Sequence, residues 1–96
     1  MNTDKIKAIV ANAKALTRGE QDPNVIMEAM VHDMGRSPTF AVAIIQHLKD
    51  EGYDLLSLKG DTAEKFRSKF QPQIEKLGEN DLTQIKKISN KLFSAA

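Results

Sequence analysis

Apolar positions recur at helical spacing along most of the chain. Near the start, Ile6, Ile9, Val10, Ala13 and Leu16 sit three and four residues apart, the interval that lines one face of an α-helix. Asn2 or Thr3 stands where a capping side chain accepts the first free N–H groups, and Asp4 suits the positive end of the helix dipole. The polar run Thr17–Asp22 breaks the pattern. Asp22–Pro23 then predicts a second start, with Asp as cap and Pro at the first helical position, where its missing N–H costs nothing. This helix runs to Met34, and Gly35 is placed to supply the left-handed residue that ends it. Ser37–Pro38 repeats the start signal. The third helix runs to about Glu51 and stops at Gly52, with Tyr53 placed to pack back on Leu48 in a Schellman stop.

Beyond Gly52 the pattern weakens. Tyr53–Leu58 is short and apolar but has no second strand to pair with, so an extended linker or irregular turn is predicted there instead of a strand. Asp61 and Glu64 have the spacing of a capping box, and Phe66 and Phe70 lie one turn apart behind it. Pro72 is expected to interrupt this helix and to begin a short one carrying Ile74 and Leu77, closed by Gly78. Asn80 is the candidate cap of the last helix. There Leu82, Ile85, Ser89 and Leu92 fall on one side, and Lys86, Lys87, Asn90 and Lys91 on the other. The fold class is all-α: a compact single-domain bundle of five or six short helices over residues 1–96, with a helix–turn–helix-like pair at its centre.

Composition narrows this further. A chain of 96 residues buries roughly 60–70% of its unfolded surface, enough for one modest core. With one Tyr, four Phe and no Trp, that core must be aliphatic. The absence of cysteine removes disulfides, thiolate metal sites and a Cys nucleophile, and fits a reducing compartment. The polar N-terminal stretch lacks the apolar segment of a signal peptide. The longest run without charge, Ser37–Leu48, is too short to cross a bilayer. A soluble, cytoplasmic protein is the expectation. Net charge is +1 but uneven: residues 23–58 are acidic, and residues 59–96 carry a basic excess.

Three constellations bear on function. The first is the stretch Gly35-Arg36-Ser37-Pro38 through Gly52-Tyr53, an apolar helix between a polar cap and a "GY" pair. It resembles the recognition segment of winged-helix regulators. That resemblance implies DNA binding, with Arg36 and Ser37 near phosphate and with Thr39, Ala43, Gln46 and His47 on the open arc that meets base edges. Ala41, Val42, Ile44, Ile45 and Leu48 form the opposite, buried arc. Electrostatics weigh against it: the motif carries only Arg36 and Lys49 as cations, beside Asp50 and Glu51. A nucleic acid would have to be held largely by Lys86, Lys87 and Lys91.

The second is Ala29-Met30-Val31-His32-Asp33-Met34-Gly35, which resembles the His–Asp segment of HD-domain phosphohydrolases. The resemblance implies His32 and Asp33 as ligands of a divalent metal that activates water. The chain departs from that pattern, having no His before His32. The simpler reading puts His32 in the last turn of the second helix, where it suits the dipole. His47, the other histidine, reads as a surface residue one turn before Glu51. No residue is assigned to catalysis or to a metal, and nothing calls for a cofactor or a small-molecule substrate.

The third is the stripe Met27, Met30 and Met34, which shares a face with Val31. Methionine is flexible and polarisable, so such a stripe either fills a core or presents an adaptable binding or self-association face. The lysines of the last helix are a solvated face or a contact for an anionic partner. The function that remains is a non-enzymatic helical module acting through protein–protein contact, with a helix–turn–helix DNA-binding regulator as the alternative and a degenerate HD-type phosphohydrolase third.

Overall fold

Two left-handed glycines fix where the first and third helices stop. The computed structural model describes residues 3–94. In it α1 spans Thr3–Thr17. It ends with Gly19 at φ +73°, the Gly19 N–H bonded to the Leu16 carbonyl at 3.0 Å and the Glu20 N–H to the Ala15 carbonyl at 2.8 Å. These are the paired bonds of a Schellman stop. The same pair recurs after α3 (Pro38–Asp50). There the Gly52 N–H meets the Lys49 carbonyl at 3.0 Å and the Tyr53 N–H meets the Leu48 carbonyl at 2.7 Å, with Gly52 at φ +92°. The stop predicted at Gly52 is therefore present. The possible cap at Asn2 lies outside the described residues, and Thr3 is already helical.

Between these helices lies α2, Pro23–Asp33. Its start is the predicted one: the Asp22 carboxylate accepts the Asn24 N–H at 2.8 Å and Pro23 occupies the first turn. Its end differs from expectation. Gly35 does not have positive φ; α2 closes instead through the Met34 N–H on the Met30 carbonyl at 2.8 Å. After α3, residues Leu55–Ser57 form one 3₁₀ turn capped by Asp54, so the Tyr53–Leu58 stretch is not a strand. Next comes α4, Asp61–Glu75, whose cap is Gly60 at φ +112° and not Asp61. Pro72 sits inside α4 without ending it. The hydrogen bond it removes is the one to the Ser68 carbonyl, and both residues lie at exposed positions, where losing a backbone bond costs less than in the core. The separate short helix expected over Ile74–Leu77 is thus the last turn of α4 and the link behind it. Finally α5 spans Glu79–Ser94. Asn80 lies inside it, and the Gly78 N–H bonds back to the Asp81 carboxylate at 3.0 Å.

The helices enclose an aliphatic core with Phe66 and Phe70 at its centre, tilted at 59° with ring centroids 5.1 Å apart. Packed between α1 and α4, α2 buries Ile26, Met27, Met30 and Met34 completely. Of the two readings of the methionine stripe, core filler holds and the partner face does not: the flexible side chains fill the space between helices, α4 standing where α3 was expected, and none reaches the surface. The α3–α5 pair packs most extensively. It seals a second cluster of Val42, Ala43 and Ile85, with Leu77, Ile88 and Leu92 at its margin. Leu82, expected on the inner side of α5, is outside the core. The radius of gyration is 12.2 Å, close to the about 12.5 Å of a well-packed chain of this length. Among the described residues no strand occurs, and no helix is long and apolar enough to cross a membrane.

Candidate functional site

The turn between α2 and α3 is built to expose its two middle residues. The Ser37 N–H bonds to the Met34 carbonyl at 3.1 Å, closing a tight turn with Gly35 and Arg36 at its exposed tip. Pro38 then fixes the first residue of α3. Ser37 occupies the cap position, yet its hydroxyl makes no capping bond. The positive end of the α3 dipole is therefore not offset by its own cap.

Side chains from three further places converge on this turn. Lys69 of α4 lies against Gly35: a Cβ built on that glycine would stand 2.5 Å from Lys69 Cε and 2.8 Å from Nζ. The only atoms a Cβ would crowd are the end of that flexible lysine, and Gly35 is not among the glycines with positive φ. From α1, Lys5 Nζ reaches Asp33 at 3.4 Å. His32 Nδ1 donates to the same Asp33 oxygen at 2.7 Å. Together Lys5, His32, Asp33, Arg36, Ser37 and Lys69 line a cavity of about 490 Å³, with Val31 as its apolar wall.

The electrostatics of this cavity are one-sided. Lys5, Arg36 and Lys69 face the single carboxylate of Asp33, an excess of two positive charges. Asp33 is itself engaged. The His32 hydrogen bond holds its carboxyl below the ordinary value of 3.8; partial burial opposes this, and the charge of Lys5 adds to it. Asp33 thus orients His32 and Lys5, leaving Arg36 and Lys69 as the cations with no partner among the described residues.

His32 and Asp33 are bonded to each other, with a lysine ammonium beside them. Among the described residues no group of three or more His, Asp or Glu side chains could hold a metal ion. The donor set that the HD-domain resemblance implies is not assembled here.

The winged-helix resemblance meets a different obstacle. Ala43, placed on the open arc, is fully buried under α5, because the basic last helix packs on the face of α3 that a recognition helix would present. His47 is half-buried, stacked on Phe93 of α5. Thr39 is exposed, while Gln46 is half-buried and donates to Asp50 at 3.1 Å. Arg36 and Ser37 belong to the basic cavity. Lys86 borders a separate groove of about 300 Å³ between α3 and α5, beside Gln46, His47, Asp50 and Leu82. Lys87 and Lys91 are exposed on α5. The candidate residues of the two basic regions therefore do not form one surface. A larger depression of about 600 Å³ runs along α4, lined by Asp61, Glu64, Lys65, Ser68 and Lys69, so that Lys69 stands between the two.

Sequence reasoning singled out His32, Asp33, Arg36 and Ser37, each for a different reason, and missed Lys5 and Lys69. Those two come from helices distant in the chain, and nothing local to either marks it. The one local signal was Gly35, against whose bare backbone the end of Lys69 lies.

No family model, no curated protein and no solved structure matches the chain.

Proposed function

We propose that this protein is a non-enzymatic helical binding module that docks an acidic segment of a protein partner at the α2–α3 junction. The observation that carries this is the cavity itself: Arg36 and Lys69, both unpartnered, converge with Lys5 and His32 around one carboxylate already neutralised by its neighbours. Charges gathered in a concave site are attenuated less by solvent and salt than charges scattered over a surface. The lining is polar apart from Val31 and Gly35, so the cavity suits a charged group and not an apolar ligand. The complete lack of cysteine supports action in a reducing compartment such as the cytoplasm.

The alternative, a DNA-binding regulator, is supported less well. Its reading helix is covered by α5, and its cations are divided between two separate places. A polyanion held along its backbone needs a continuous basic stripe.

Fluorescence anisotropy with a labelled glutamate-rich peptide tests the proposal. Binding to the full chain that weakens with salt, and that Arg36→Glu with Lys69→Glu abolishes, is the expected result. Binding unaffected by that charge reversal, or no binding at all, rejects it.

A further inference from the structure

The cavity at the α2–α3 junction has a chemistry more specific than general attraction for acids. We infer that it receives the phosphate of a phosphorylated serine or threonine carried by the partner segment; this rests on the docking function proposed above.

Charge is the first argument. A phosphate monoester carries about −1.5 to −2 at neutral pH. The cavity holds an excess of two positive charges from Lys5, Arg36 and Lys69 over Asp33. A carboxylate or a phosphodiester would leave half of that excess unmatched.

Donor geometry is the second. The cations reach the cavity from α1, α4 and the α2–α3 turn, three separate parts of the fold that line one depression. A compact group with three terminal oxygens uses such convergence. The planar fork of Arg36 offers paired N–H donors, Lys69 a point charge with three, and the uncapped Ser37 a hydroxyl. A carboxylate has two oxygens in one plane and leaves part of this set idle.

The third argument is how Lys69 is held. Its head group lies against Gly35, where any Cβ would force it away. Asp33 plays the matching part on the other wall, fixing Lys5 and His32 by ion pair and hydrogen bond.

The test is isothermal titration of the full chain with a short Gly/Ala-flanked peptide carrying one phosphoserine. The same peptide with glutamate at that position, inorganic phosphate and mixed-sequence duplex DNA are run beside it. The phosphopeptide is expected to bind on the order of tenfold or more tightly than the glutamate peptide and free phosphate. Arg36→Met and Lys69→Met, both at exposed positions, should each weaken it by about tenfold. Gly35→Ala should weaken it too, while circular dichroism shows the fold intact. Equal affinity for the two peptides overturns the phosphate inference and leaves the docking function standing. Free phosphate binding as tightly as the phosphopeptide overturns the assignment of the group to a partner. Failure of both peptides overturns inference and docking function together. Tighter binding of duplex DNA does the same. Phosphopeptide affinity unchanged in Arg36→Met and Lys69→Met places the site elsewhere and overturns the inference.

Discussion

His47 of α3 lies flat on Phe93 of α5, with ring centroids 3.7 Å apart and ring planes inclined by 10°. This stack pins the C-terminal end of the last helix to the middle of the chain. Together with buried Ala43 and Ile85 it makes the α3–α5 contact the one that closes the bundle. A pair of stacked rings contributes about 0.5–1.5 kcal/mol beyond area burial. A double-mutant cycle with His47→Ala and Phe93→Ala is expected to show a coupling of about that size. Additive losses would mean that the two rings stabilise independently.

The two glycines that the sequence reading treated alike should respond differently to alanine. Gly52 has φ +92° with open space around its missing Cβ, so the cost of Gly52→Ala is backbone strain, about 1–2 kcal/mol. Gly35 has no such conformation, and its Cβ would meet only the movable end of Lys69. Gly35→Ala should therefore melt close to wild type. Chemical denaturation of both variants distinguishes them, and equal losses would contradict the description of the two turns.

Ile44, at the middle of α3, and Leu48, in its last turn, are fully buried. Truncating either to alanine removes packed methyl and methylene groups and leaves a cavity, at a cost of about 2–5 kcal/mol. Urea midpoints measure this. A loss well under 1 kcal/mol for both would mean that α3 is not the central helix.

Asp33 gives the molecule a defined acid response. Its carboxyl sits below the ordinary value of 3.8, chiefly because His32 donates to it. A group whose folded value is depressed adds stability above its unfolded value, and that stability is lost as pH falls through the lower, folded one. Melting temperatures of the wild type and Asp33→Asn should therefore differ near neutral pH and converge in strong acid, below about pH 3.8. A difference that stays constant or widens on acidification contradicts the His32–Asp33–Lys5 arrangement.

Much of the fold was readable because helix signals are local. Asp22–Pro23 and Gly52–Tyr53 act through atoms a few residues away, and both appear as expected. The misreadings have a common cause. Pro72 was expected to break α4, yet both it and Ser68, whose carbonyl loses its partner, lie at exposed positions, which only the assembled bundle reveals. Ala43 lies on the polar arc of α3 by periodicity. It is buried because α5 comes to rest there, a tertiary event that α3 alone does not encode. The methionine stripe was read as core filler against α1 and α3; it is core, but α4 and not α3 is its main second neighbour, which again only the assembled bundle shows. The candidate site was legible in fragments: Arg36 and Ser37 were marked by the turn, and His32 and Asp33 by their adjacency. Lys5 and Lys69 join them only through folding.

The most direct measurement is to follow the backbone amide resonances of the full chain as the glutamate-rich peptide is added. The perturbed amides should be those of Lys5, His32 to Ser37 and Lys69, on three helices and one turn at once. Perturbations centred on Lys86, Lys87 and Lys91 instead, or a spectrum that the peptide leaves unmoved, would contradict a docking site at the α2–α3 junction.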